Sequence, residues 1–120
     1  EPGLSGLYAQ QNRNKRSIAS DLKHPDGIEL VKKLARDADV LIHDAQYTDA
    51  EYPDRIGWGH SALSQAVDFA ELAEVGRLVT FHHEPNHSDA EIDRNHSEVA
   101  QRRNPSVPFE PGLAGATFQV

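Results

Sequence analysis

Residues 39–44 read Asp-Val-Leu-Ile-His-Asp and residues 77–81 read Arg-Leu-Val-Thr-Phe, two short apolar, β-branched runs that each lead into polar side chains. Apolar runs of this length read as strands buried on both faces, as in a parallel sheet. Between them, residues 62–73 place Leu63, Ala66, Val67 and Ala70 at helical spacing, with Ser61 positioned to cap the helix. Strand, loop, helix and strand within about 45 residues make a βαβ crossover, whose strands run parallel. Their C-terminal ends then share one edge, and open parallel sheets bind ligands at that edge. Topology therefore gathers His43, Asp44, His82 and His83.

Outward from this unit, a helix is expected after Pro25, with Asp26 as its cap and Glu29 completing a capping box. Leu30, Val31, Leu34 and Ala35 give it an apolar stripe. Another helix should begin at Ser88, with Glu91 in capping-box position and Ile92, Val99 and Ala100 on a modest apolar face. His96, in a mostly polar stretch of that helix, is expected to face solvent. The loop over 45–59 holds Tyr47, Tyr52, Trp58, Gly57 and Gly59 and is too aromatic for a plain linker. The expected organisation is a polar N-terminal segment over 1–15, an α/β domain over 16–104 opening on a short strand at 16–20, and a tail over 105–120. That tail carries Pro105, Pro108 and Pro111 and reads as loop until an edge strand at 116–120.

The chain has 120 residues, 38% of them hydrophobic, and a formal charge of −7 from 12 Lys and Arg against 19 Asp and Glu. The acidic balance argues against broad binding to nucleic-acid backbone or anionic lipid, which needs clustered cations. The absence of Cys excludes disulfides, thiolate zinc sites and Cys nucleophiles. No apolar run approaches the ~18 residues of a membrane span, and no signal-type segment opens the sequence, so a cytoplasmic location is expected. The apolar fraction is low for a self-sufficient domain, so the core should be thin or completed by other chain.

Seven His in a chain without Cys is a high count. His82, His83 and His87 cluster with Glu84 and Asp89, and imidazole with carboxylate suits zinc, manganese or iron. Adjacent side chains of an extended segment point to opposite faces, so at most one of His82 and His83 aims into a site. In Gly57-Trp58-Gly59-His60-Ser61, His60 stands at a helix start, where N–H groups attract anions, and is placed to hold or protonate a phosphate oxygen. The plainer alternative is that Ser61 only caps and His60 only packs on Trp58. A strand-end Asp such as Asp21 or Asp44 can ligate a metal, orient a ligand or bond loop backbone. No Gly-rich phosphate loop, HExxH helix or GxSxG elbow is present.

Together, ADVLIHDAQYTDAEY, GWGHS and RLVTFHHEPNHSD resemble the C-terminal half of a metallo-β-lactamase-fold hydrolase, in the ribonuclease Z-like and phosphodiesterase-like branch, over about Ile18 to Asp93. The resemblance implies a βαβ-containing half of an αββα sandwich and a two-metal site, usually of zinc and sometimes of manganese or iron. It implies Asp21 and His82 as metal ligands and His60 beside the scissile phosphate. His43 and Asp44 would support the site from behind, with His83 next to it. The family's HxHxDH motif is absent, and two ligands fall short of the three or four that catalytic zinc requires.

The expectation is the C-terminal portion of a metal-dependent hydrolase of phosphodiester or related ester bonds, inactive alone and completed by a missing N-terminal half or a homodimer partner. The alternative is a non-catalytic metal-binding or interaction module that keeps the scaffold. A third reading is a small α/β domain whose His residues only titrate.

Overall fold

The computed structural model describes residues 20, 21 and 24–119. Helix α1 is Pro25–Arg36, strand β1 Leu41–Asp44, helix α2 Leu63–Leu72, strand β2 Leu78–Phe81, helix α3 Asp89–Arg103 and strand β3 Phe109–Pro111. A short 3-10 turn at Tyr52–Arg55 interrupts the loop after β1. The chain divides into two compact units, Glu1–Leu30 and Val31–Val120. The expected strand at 16–20 lies outside the described residues, apart from Ser20, which is in no strand.

In the first unit, α1 begins on Pro25, whose missing N–H costs nothing at a helix start. The cap is His24 rather than Asp26: its Nδ1 accepts from the Asp26 N–H at 3.2 Å, and its carbonyl receives the first helical bond from Ile28 at 3.1 Å. Asp26 sits in the first turn, where its charge suits the helix dipole.

The second unit is a parallel three-stranded sheet in the order β1-β2-β3, with Leu41 to Asp44 in register with Leu78 to Phe81. The βαβ reading of 39–81 thus holds, with each strand within two residues of its expected start. β3 corrects the sequence reading twice. Residues 109–111, read as loop, form the third strand, and 116–119, read as an edge strand, form none. Pro111 is tolerated because β3 lies at the sheet edge, and the neighbouring Gly112 N–H donates to the Thr80 carbonyl at 2.7 Å.

Period-2 alternation puts Leu41, His43, Leu78 and Thr80 on one sheet face, which α2 and α3 cover. The core there is built of small side chains: Ala45, Ala66, Ala70 and Ala73 with Leu63, Val67, Val75, Leu78, Val99 and Val107. The opposite face is open in part. Ile42 is 63% and Phe81 48% exposed, although Val79 between them in register is buried.

Helix starts follow the sequence unevenly. Ser88 caps α3 as expected, its hydroxyl accepting from the Glu91 N–H while Glu91 accepts from the Ser88 N–H at 2.8 Å. At α2 the capping residue is Ala62, whose N–H donates to Gln65 Oε1 at 3.0 Å. Ser61 does not cap. Among the described residues no helix is long and apolar enough to cross a membrane.

Candidate metal centre

The end of β1, the start of α2 and the end of β2 meet at one carboxylate. Asp44 Oδ2 accepts from Nδ1 of His82 at 2.7 Å and from Nδ1 of His60 at 3.0 Å, while its Oδ1 accepts from the Ser61 N–H at 2.8 Å. Ser61 therefore serves the site through its backbone amide, not its hydroxyl. The two imidazoles lie 4.7 Å apart, centroid to centroid. Burial works against ionisation of Asp44, but the Ser61 amide and the His60 and His82 imidazoles outweigh it and hold the carboxyl below its ordinary range.

Local backbone explains how the groups converge. His60 follows Gly57 and Gly59, both at φ of 90°, a conformation that favours glycine and lets the loop turn into α2. The loop is held by a two-bond bridge: the Tyr47 N–H donates to the Ser61 carbonyl at 3.2 Å, and the Leu63 N–H to the Tyr47 carbonyl at 2.9 Å. His82 has φ of 60°, left-handed and uncommon for a residue with a Cβ. That kink ends β2.

With each Nδ1–H spent on Asp44, His60 and His82 present Nε2 as their free ring nitrogen. One donor atom from each of Asp44, His60 and His82 lies within 4.8 Å of the others, a set that suits a divalent ion. A carboxylate that fixes the far nitrogen of a ligating imidazole is the usual support of such a site.

His43 and His83 go elsewhere. The His43 side chain lies against Phe69 of α2, with ring centroids 5.6 Å apart, and its Nδ1–H donates to the Asp44 carbonyl at 2.7 Å, bracing that residue through the backbone. His83 lines a cavity of about 140 Å³ between the 45–50 loop and α3, with Gln46, Leu63, Ile92, His96 and Val99. Its Nε2 and Gln46 Oε1 are buried there without a hydrogen-bond partner among the described residues. Burial pushes His83 down, although the backbone of Ala45 and Thr80 favours its charged form. Asp21 belongs to the first unit, where it is exposed and its carbonyl accepts from the His24 N–H at 3.0 Å.

His96 corrects the expectation of a solvent-facing residue: it is 8% exposed. Its Nδ1–H donates to the Ile92 carbonyl at 2.8 Å, its Nε2 accepts from the Thr80 hydroxyl at 2.8 Å, and its ring stacks on Phe109. Burial lowers its affinity for a proton. The signal was present in the spacing, since His96 stands four residues after Ile92 and three before Val99, on the apolar side of the helix. Glu51 was also unread. It accepts from the Thr48 N–H at 2.8 Å, the Thr48 hydroxyl at 2.7 Å and His87 Nε2 at 2.8 Å, tying the aromatic loop to the segment after β2.

Comparison with known proteins points in two directions. The chain is 41% identical over 61 residues to a ribonuclease Z of Thermoplasma acidophilum, covering 50% of this chain and 20% of that protein. It is 54% identical over 40 residues to a succinate–glutarate CoA-transferase of Agrobacterium fabrum, covering 33% of this chain and 10% of that one. It is also 34% identical over 77 residues to an acyl-CoA transferase of Fusarium pseudograminearum, covering 62% and 16%. The chain thus spans a fifth or less of the length of these relatives. The model of CoA-transferase family III matches residues 1–68, a stretch that includes Asp21, Asp44 and His60 but not His82. Through that match, over more than half of its length, the chain belongs to CoA-transferase family III.

Proposed function

We propose that Asp44, His60 and His82 form part of a divalent-metal centre that hydrolyses phosphodiester or related ester bonds, and that this chain supplies one half of it. The observation that carries the reading is the shared acceptor. A single Asp44 oxygen orients two imidazoles so that both Nε2 atoms remain available, which is how metal-ligating histidines are held. The partial similarity to ribonuclease Z supports the same chemistry. A bound divalent ion, zinc first and manganese or iron as alternatives, would supply Lewis acidity and a water of lowered pKa.

The residues divide the work as follows. His82, at the kinked end of β2, offers Nε2 as a ligand. His60, at the start of α2, is placed to give a proton to the leaving oxygen at Nε2, with the Asp44 carboxylate balancing the charge that comes and goes on its ring. His43 keeps the Asp44 backbone in place. With Asp44 spent on the two Nδ1–H groups and His60 kept for the proton, His82 is the one ligand these roles leave, and the three that catalytic zinc requires would be completed by groups from elsewhere. Ile42 and Phe81 on the open sheet face would meet that other half of a metallo-β-lactamase-type sandwich, whether a missing N-terminal half or a second copy of the chain. The test is zinc titration with elemental analysis on the 120-residue chain beside His82→Ala. Sub-micromolar binding lost in the variant is expected, and binding unchanged in the variant would sink the proposal.

The family match over residues 1–68 favours a second reading, in which the chain is a portion of an enzyme that moves coenzyme A between acids. Binding of coenzyme A without any binding of zinc would favour it. A non-catalytic metal-binding or interaction module is what remains if zinc binds but no ester is cleaved in the presence of the completing half.

A further inference from the structure

Trp58 is the one tryptophan of the chain and stands two residues before His60, yet it is 65% exposed. One side of its indole is backed by Arg55, whose Cζ lies 4.9 Å from the ring centroid. The same guanidinium reaches over Tyr47 at 5.9 Å, and the Tyr47 ring meets the His60 imidazole edge-on at 6.2 Å. Trp58, Arg55, Tyr47 and His60 thus form a chain of two cation–π contacts and one ring contact that leads from an exposed indole to the Asp44 cluster. Among the described residues Arg55 makes no ion pair, whereas most other arginines of the second unit do.

We infer that Arg55 and Trp58 form a shelf that binds one nucleotide unit, with the base stacked on the free side of the Trp58 indole and the phosphate held by the Arg55 guanidinium beside His60. This rests on the hydrolytic reading for the position of the phosphate. Three features carry it. An exposed aromatic ring with one face backed by a cation offers its other face to a planar ring, and bases are recognised by such stacking. A guanidinium already fixed by two rings and lacking a carboxylate partner is organised to take a phosphate in bidentate fashion. The turn that carries the shelf is set by Gly57 and Gly59 at φ of 90°, and Trp58 between them is exposed instead of packed in the core. The formal charge of −7 limits the occupant to a short piece, since a long polyanion would meet net repulsion. A base next to a phosphate occurs both in a nucleotide phosphodiester and in coenzyme A, so the shared chemistry is that of an adenine nucleotide.

Because Trp58 is the only indole, its fluorescence reports the shelf directly. The 120-residue chain is titrated with AMP, the dinucleotide ApA, coenzyme A and ribose 5-phosphate. Saturable quenching by the three base-bearing probes and none by ribose 5-phosphate is expected. Tighter binding of ApA assigns the shelf to a phosphodiester, and tighter binding of coenzyme A assigns it to an acyl-CoA reaction. Equilibrium dialysis should show Trp58→Leu weakening AMP by roughly 5- to 150-fold, the range that one stacked base is worth, with an unchanged circular dichroism spectrum. Arg55→Ala should weaken AMP while leaving adenosine unaffected. The absence of saturable quenching by any base-bearing probe, or equal binding of AMP to Trp58→Leu, overturns the shelf. Zinc binding measured in parallel keeps the two ideas apart: nucleotide stacking without zinc binding removes the hydrolytic reading, and zinc binding without stacking removes only the shelf.

Discussion

His60 and His82, 22 residues apart in sequence and on different elements, donate Nδ1–H to the same oxygen of Asp44. One carboxylate therefore sets the tautomer and the direction of both rings. The Ser61 amide on its other oxygen prevents the carboxyl from rotating away.

Asp44→Asn removes the charge and replaces one acceptor by a donor that faces an N–H. Zinc affinity should fall about 10- to 100-fold, the usual effect of losing such a support, as read by competition with a chromophoric chelator. The same variant has a pH signature. Asp44 is held below its ordinary 3.8, so its contribution to stability is present above that pH and is lost as pH falls further. The difference in urea midpoint between the wild-type chain and Asp44→Asn should therefore be largest near neutrality and shrink in acid.

His96 predicts a second pH dependence of the opposite kind. Burial pushes its imidazole below the ordinary 6.5, with the His83 ring adding to the effect and Asp93 opposing it. The unfolded chain then takes up a proton that the folded chain resists, so stability is full above 6.5 and declines as pH falls below it. His96→Leu should flatten that decline. It should also cost about 1–3 kcal/mol at pH 8, because the buried Thr80 hydroxyl loses its imidazole acceptor. Urea titrations from pH 8 to pH 5 on both proteins test this.

The small-residue face of α2 leaves no room for growth. Ala66 and Ala70 are fully buried within the core cluster. Ala66→Leu should destabilise by about 1–3 kcal/mol through overpacking, seen as a lowered midpoint in thermal unfolding. A rise in the midpoint would mean the core is looser than its burial indicates.

Ser88→Ala removes the hydroxyl of the α3 capping box, which accepts from the Glu91 N–H at 3.4 Å and donates to the Glu91 carboxylate at 2.7 Å, and leaves that N–H only the Ser88 carbonyl. A loss of about 1 kcal/mol is expected from chemical denaturation, with zinc binding unchanged because α3 contributes no donor to the Asp44 cluster.

The strands at 41–44 and 78–81, their parallel pairing and the helix between them were legible because apolar runs bounded by polar residues have a periodicity that backbone geometry imposes. The Ser88 start was legible because its hydrogen bonds are made between residues three apart. Gathering His82 and Asp44 at one edge also followed from topology, since parallel strands end together. Which histidine would turn inward did not follow, because the kink at His82, with φ of 60°, is no property of local sequence.

Sequence alone therefore determined the α/β class of this protein, the βαβ order and the set of imidazoles and carboxylates at the strand ends, because these depend on period and chain direction. Tertiary structure decided that Asp44 would hold both His60 and His82, that His43 would turn to Phe69, that His96 would be buried on Thr80, and that 109–111 rather than 116–119 would complete the sheet. Each of these depends on distances between segments 16 or more residues apart. Such distances exist only once packing has chosen which faces meet.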